Sequence, residues 1–239
     1  MEDPFFTSNS QGFFPISPSK LSTIGLCGLK TYYQYVLKLK EKDIPEHLRV
    51  AVNMDAAIFG TSLHRMSELM AEGKTLEQSI ATTVKEENLT QKMQAEVDIH
   101  KHSVTNFQTR LEKFKDSFNI SKELREVELA CDENLVPTGY WDKKAAMRGK
   151  SDIILISEDE KTAVIIDLKT SKSDSLEYAR DQLDFYTTLV FVNFPKVQHI
   201  RNGLYFLRLH RMRWVPKVAH RKDYSIKKDN AIVQKINHT

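Results

Sequence analysis

Residues 149–169 read Gly-Lys-Ser-Asp-Ile-Ile-Leu-Ile-Ser-Glu-Asp-Glu-Lys-Thr-Ala-Val-Ile-Ile-Asp-Leu-Lys, two apolar runs joined by a charged pentapeptide. Short runs rich in β-branched residues and bounded by polar clusters are the mark of buried strands. Residues 149–156 and 162–168 are therefore predicted strands, with Ser157-Glu158-Asp159-Glu160-Lys161 as the loop of a hairpin. An antiparallel pair turning about Asp159 sets Asp152 near Asp167 at the open end of that hairpin. Side chains two apart on a strand share a face, so Asp167 and Lys169 point the same way. Two carboxylates and one ammonium thus converge at one sheet edge. Close carboxylates repel and invite a cation between them, and Mg²⁺ favours such oxygen ligands.

An acid-x-base triplet is cheap on its own. With 32 acids and 35 bases in 239 positions, roughly four or five arise by chance. Asp167-Leu168-Lys169 gains weight because it terminates a buried strand and because Asp152 reaches it by an independent route.

Outward from the hairpin, residues 127–130 form a further predicted strand, followed by a turn around Asp132 and Asn134. Residues 175–190 are predicted helical, ending before Asn193 and Pro195, and residues 203–207 are another strand. Upstream the texture is helical. Residues 1–20 read as an extended lead-in, with Ser17 or Ser19 available to cap a helix in the 21–40 segment. After a loop near Pro45, Gly60 precedes a pattern with Leu63, Met66, Leu69 and Met70 on one face, which Gly73 ends; His64 falls in its first turn. Residues 76–118 contain no Gly or Pro and read as one or two long helices. Helices followed by β-β-β-α-β predict a mixed α/β sheet core, residues 121–239, carrying an N-terminal helical subdomain, residues 1–120, within one integrated unit.

Composition sets the bounds. With 41% apolar and 28% charged residues the chain has enough core-forming material to exclude disorder as its dominant state. The net charge of +3 divides unevenly. Residues 196–239 hold 11 Lys and Arg against Asp223 and Asp229, and the first 195 residues hold 24 basic against 30 acidic groups. An acidic body with a basic C-terminal segment points to an anionic partner. Cys27 and Cys131 are too few for a disulfide framework or a four-thiolate metal site. No apolar run approaches a membrane span, and the N-terminus lacks the basic region of a secretory signal. A soluble cytoplasmic protein with no membrane partner is expected.

Four motifs follow one another: Gly60-x-x-x-His64, Gly149-x-x-Asp152, Asp167-x-Lys169 and Gln182-x-x-x-Tyr186, the last pair one helical turn apart. This ordered set resembles the PD-(D/E)xK nuclease superfamily, and within it the RecB-type branch that includes Cas4-like and phage-encoded exonucleases. Ser17-Pro18-Ser19-Lys20-Leu21 and Tyr32-Tyr33-Gln34-Tyr35-Val36 also resemble that branch's N-terminal motif. The resemblance spans roughly residues 16–209 and implies a restriction-endonuclease-like mixed sheet flanked by helices. It implies that Asp152, Asp167, the backbone carbonyl of Leu168 and His64 hold Mg²⁺ or Mn²⁺, with Glu128 as a further acid on the preceding strand. Lys169 would orient or activate the attacking water, and Gln182 and Tyr186 would position the site or the strand. Cluster-bearing members use four cysteines; here Gly28 follows Cys27 where Pro is usual, and no C-terminal cysteine trio exists, so no iron–sulfur cluster is expected. No phosphate-binding Gly-x-x-x-x-Gly-Lys-[Ser/Thr] loop occurs, so any unwinding would come from a helicase or recombination partner.

The implied reaction is metal-dependent hydrolysis of DNA by an exonuclease acting on single strands or duplex ends. By the same resemblance, a compact form of this kind suits a phage or mobile-element enzyme, at work in the host cytoplasm if phage-encoded, in repair or recombination. The alternatives are a structure-selective or sequence-specific endonuclease and a catalytically silent nucleic-acid-binding protein of the same fold. Ser17, Ser19 and Lys20 are candidate nucleic-acid contacts, as are Arg208, Arg211, Arg213 and Trp214, in a stretch that also holds His210, Lys217, Arg221, Lys222 and Tyr224. Cations track phosphates and aromatic rings stack on unpaired bases.

Overall fold

A computed structural model describes residues 15–39, 43 and 54–224. The expected lead-in up to residue 14, the loop near Pro45, and Lys227, Lys228 and Lys235 of the basic segment lie outside the described residues.

The hairpin forms as its sequence requires. Strands β1 (Ile120–Cys131), β2 (Met147–Ser157) and β3 (Thr162–Lys169) are antiparallel neighbours. Ile153 faces Ile166 and Ile156 faces Ala163 across β2 and β3, so Asp152 and Asp167 lie one step beyond the last pair. Helix α6 (Glu177–Asn193) then crosses over to β4 (His199–Phe206), which runs parallel to β3. Strand β5 (Arg211–Trp214) and the two-residue β6 (Ala219–His220) both pair antiparallel with β4, β6 at its start. The expected β-β-β-α-β order is the order of the fold.

Both faces of the sheet are covered, which is why β2 and β3 read as near-continuous apolar runs. Ile154, Ile156, Ala163 and Ile165 pack with Leu183, Phe185, Leu189 and Val190 of α6. Ile153, Leu155, Val164, Ile166 and Leu168 meet the opposite layer. That layer is built by α3 (Met54–Ala71) and α5 (Gln91–Ser117), with α4 (Leu76–Glu86) alongside. The break between α4 and α5 falls at Asn88, in left-handed conformation with φ 49°, and Thr90 caps α5. Gly73 ends α3 at φ 91°, a value only glycine takes without strain. No described helix is long and apolar enough to cross a membrane.

The N-terminal segment is more broken than one helix. Ser17 caps α1 (Pro18–Leu26), its hydroxyl accepting the Lys20 N–H. Extended backbone at Cys27 separates α1 from the short α2 (Gly28–Thr31), which passes into a π-turn at Tyr32–Val36. Ile16, just before α1, is stitched to the start of β2: its N–H donates to Ala146 O (2.8 Å), and Arg148 N–H donates to Ile16 O (2.9 Å).

Gly60 does not precede a helix. It lies inside α3, and His64 falls beyond the first turn. A β-carbon at Gly60 would stand 3.0 Å from Thr170 Oγ1. The glycine answers to the close passage of α3 over the end of β3, so a packing demand imitated a start signal. Strand β1 begins earlier than residue 127 because its first half hides its alternation in charge. Arg125 and Glu123 point into the α3–α5 layer, where Arg125 donates to Ser67 and Gln108 and Glu123 accepts from Lys115. Helix α6 also reaches Asn193, whose side chain donates to Leu189 O (2.9 Å) and Ala130 O (3.3 Å), tying the last turn to β1.

Gly149 has no room for a side chain either, because a β-carbon there would lie 2.8 Å from Tyr186 Cε1 and 3.4 Å from Phe185 Cε1. Both rings belong to the core that joins α6 to the sheet. Gly149→Ala is expected to cost about 1–3 kcal/mol by overpacking and to lower the thermal midpoint by several degrees. Calorimetry reads this directly, and an unchanged midpoint would contradict the contact.

Candidate active site

Beyond Ile153 and Ile166 the β2–β3 ladder ends, and the next residue on each strand is an aspartate. Asp152 Oδ2 accepts the backbone N–H of Leu168 at 2.7 Å, which holds the mouth of the fork together. Asp167 is 3% exposed. Its Oδ1 accepts from Gln182 Nε2 (2.8 Å), Lys169 Nζ stands 2.8 Å from its Oδ2, and Lys169 Nζ donates to Gln182 Oε1 (2.8 Å). Asp167, Lys169 and Gln182 therefore close a ring of contacts between β3 and α6. One turn further along α6, Tyr186 donates its hydroxyl to the carbonyl of Lys150 (2.7 Å), two residues before Asp152. The four motifs of the sequence meet at this fork.

Helix α3 brings His64 from the other layer, with Nδ1 3.8 Å from Asp152 Oδ2. Burial lowers the His64 pKa, opposed by the charges of Asp167 and Glu126. A neutral imidazole with a free lone pair is the ligating form. The Leu168 backbone lies within hydrogen-bonding reach of the same ring.

The third group that could ligate a metal beside His64 and Asp152 is Glu126, whereas the resemblance implied Glu128. One donor atom each from His64, Glu126 and Asp152 lie within 4.8 Å of one another. Glu128 is exposed and faces Lys150 across the β1–β2 ladder. The physical reason lies in the backbone. Glu126 adopts a left-handed conformation, φ 47°, between residues paired with Ile153 and Ser151. Leu124 and Val127, three residues apart, both pack against the α6-side core, which strict alternation forbids. The left-handed residue absorbs that change of phase and presents its carboxylate to the site, where Lys150 Nζ pairs with it at 2.7 Å. A side chain with a β-carbon held there costs about 1–3 kcal/mol, and such positions cluster where function overrides local preference.

The electrostatics fit a divalent cation. Burial raises the Asp152 pKa well above the usual carboxylate range, and the nearby Asp167 charge raises it further. Asp167 is also raised by burial, while Lys169 pulls it back. Oδ2 of Asp167 is buried and accepts no hydrogen bond of good geometry, although the Lys169 ammonium is close. An acceptor left in this state is costly for the fold alone and is suited to a positive ligand.

The proposed nucleic-acid contacts divide. Ser17 and Ser19 hydroxyls are exposed and 3.1 Å apart at the start of α1. Lys20 is half-buried, donates to Pro15 O (2.8 Å), and has its pKa lowered to about 8 by burial and by Arg148 and Lys38. Arg211 and Arg213 are exposed but share Asp174 Oδ2, at 2.7 Å from Nη1 of Arg211 and 2.8 Å from Nε of Arg213. Arg208 and Trp214 are engaged within the molecule. Arg208 pairs with Glu96 (2.7 Å) and lies 4.1 Å from the Phe59 ring. Trp214 stacks on Phe114 at 5.0 Å, carries Arg201 at 4.8 Å, and fills the space over Gly203. Arg221 donates to three backbone carbonyls around the end of α6.

The raised carboxylates carry a stability signature. A folded-state pKa above the unfolded value means stability that is present at low pH and lost as pH rises through the folded pKa. Asp152→Asn should therefore melt higher than the metal-free wild type near neutral pH, with the gap closing as pH falls to about 4. Added Mg²⁺ or Mn²⁺ should raise the wild-type midpoint and leave that of Asp152→Asn nearly unmoved. Scanning calorimetry with and without chelator measures both. Arg208→Ala is expected to cost about 1–2 kcal/mol, chiefly through its lost contact with the Phe59 ring because solvent screens the partly exposed Glu96, with little change in affinity for an oligonucleotide measured by anisotropy.

No curated protein matches the chain. Among solved structures, the crystal structure of SSO0001 is similar at 16% identity and a TM-score of 0.32, over 89% of this chain and 86% of that one. The family model of the PD-(D/E)XK nuclease superfamily matches residues 15–239. With the paired aspartates at the hairpin fork, the lysine two residues on and the mixed sheet that holds them, the chain belongs to the PD-(D/E)XK nuclease superfamily.

Proposed function

We propose that this protein hydrolyses DNA as a metal-dependent exonuclease of the RecB-like branch, acting on single strands or duplex ends. The observation that supports this most is the ring formed by Asp167, Lys169 and Gln182 beside the His64, Glu126 and Asp152 cluster. A silent relative has no use for a complete set of this kind.

His64, Glu126 and Asp152 would hold a Mg²⁺ or Mn²⁺ ion, with Asp167 Oδ2 and the Leu168 carbonyl at its side. Such an ion lowers the pKa of its bound water and neutralises charge that grows on the phosphate. The chain's own residues supply placement. Gln182 grips Lys169 through Oε1 and Asp167 through Nε2, so turning its amide over breaks both bonds at once. The ammonium is thereby fixed before substrate arrives, and a preorganised charge needs no reorganisation during the reaction. Tyr186 holds the β2 backbone at Lys150 and so fixes the height of Asp152 above the sheet.

End-labelled linear single- and double-stranded DNA, incubated beside circular single strands with Mg²⁺ or Mn²⁺, tests the assignment. Linear substrates should be degraded and circles spared, with no cleavage in chelator. Lys169→Ala should reduce the rate by about 10²–10³-fold, and Asp167→Ala should abolish it. Cleavage of circles identifies an endonuclease instead, and full activity in both variants refutes the site.

A further inference from the structure

The loop from β1 to β2, residues 132–146, leads into the strand that carries Asp152 and displays a largely exposed aromatic residue. Trp141 is 75% exposed. Behind it lies Arg148, with Cζ 4.8 Å from the Trp141 ring and 5.4 Å from the Tyr140 ring, and the two rings meet edge to face at 5.1 Å. Arg148 Nη1 also donates to Tyr140 O at 3.4 Å. Among the described residues Arg148 forms no ion pair, whereas Arg65, Arg125, Arg208, Arg211 and Arg213 each hold a carboxylate. Its positive charge is spent on aromatic faces.

A second cation stands near it. Lys20 is close enough to Arg148 to feel its repulsion, and the Ile16 bridge to Ala146 and Arg148 fixes α1 against this part of β2. Two cations held together in this way attract phosphate. Lys143 and Lys144 are exposed on the same loop, as is Asp142, which lies between them and Trp141 and accepts the Lys144 N–H on Oδ1 at 2.8 Å.

The location ties this patch to the chemistry. Arg148 is four residues from Asp152 along β2, a distance of about 13 Å at the rise of a strand. Tyr140 lies near enough to Tyr186 to contribute to its raised pKa. Trp141 leaves most of its ring in solvent, and an aromatic face backed by a guanidinium suits an unpaired base.

We propose that Trp141, backed by Arg148, is a stacking platform for an unpaired base of the strand whose phosphodiester enters the fork at Asp152. Arg148 and Lys20 hold the phosphate next to that base. The proposal rests on the nuclease reading above and deepens it by naming where the single strand lies. A base inside a duplex is stacked on both faces and cannot present one to the indole, so the platform selects single-stranded nucleic acid over the interior of a duplex. Stacking of this kind tolerates any base.

The test is binding of a labelled oligothymidylate to the full chain in chelator, read by anisotropy, so that no cleavage intervenes. Trp141→Ala should weaken binding by about 5- to 100-fold, and Trp141→Phe should restore most of the affinity. Arg148→Gln should weaken binding and lower the salt slope by about one. One abasic position in the oligonucleotide should reproduce the loss in the wild type and add nothing to Trp141→Ala. Wild-type affinity in Trp141→Ala overturns the platform. If the wild type meanwhile cleaves single strands with Mg²⁺, the nuclease reading survives that result. Trp141-dependent binding without any cleavage leaves the platform standing and removes the nuclease reading. A chain that neither binds nor cleaves oligonucleotides overturns both.

Discussion

Everything at the site follows from one unfavourable arrangement: two carboxylates at the point where β2 and β3 part. Strands that stayed paired would have buried Asp152 and Asp167 against each other without relief. The ladder stops at Ile153 and Ile166 instead, and each acid finds a different kind of support. Asp152 takes a main-chain N–H from Leu168, while Asp167 takes an amide and an ammonium from side chains. What remains is a local excess of negative charge that burial makes worse. The fold tolerates this because the apolar layers on both faces of the sheet are complete. A site held against its own repulsion gains stability from a cation, and function and stability meet in one requirement.

Much of this arrangement was legible in the sequence. Strand pairing has only two phases, so one charged loop at Asp159 was enough to set Asp152 beside Asp167 and Lys169 on a shared face. The helical spacing of Gln182 and Tyr186 likewise placed both on the side of α6 that faces the fork. Glu126 was hidden for the converse reason. Alternation is a rule about regular strands, and a single left-handed residue inverts it without any sign in residue type. Gly60 misled in another way, since a glycine demanded by an approaching Thr170 side chain cannot be told from one that punctuates a helix.

The charge division of the chain takes on a different meaning in three dimensions. Counting residues set a basic C-terminal stretch against an acidic body, as if the excess awaited an outside partner. Much of it is answered inside the molecule: Arg208 by Glu96, Arg211 and Arg213 by Asp174, Lys196 by Glu160. These contacts fasten the end of the sheet to the acidic helices and loops around it. Sequence sums cannot distinguish a cation already engaged from one still available. Arg148, in a stretch that looked unremarkable by composition, has aromatic rings for neighbours and no ion pair among the described residues.

The stitch between Ile16 and the start of β2 has a bearing on when the molecule comes into being. Its two hydrogen bonds join segments about 130 residues apart. The fork itself draws on positions from His64 to Tyr186, and β3 finds its parallel neighbour only when β4 has been made. Non-local pairings of this kind form late, after the cost of closing long loops has been met. A chain emerging from the ribosome therefore has its helices long before it has its acids in register. Synthesis itself imposes a delay, because the fork has all its members only when nearly all of the sheet has left the tunnel.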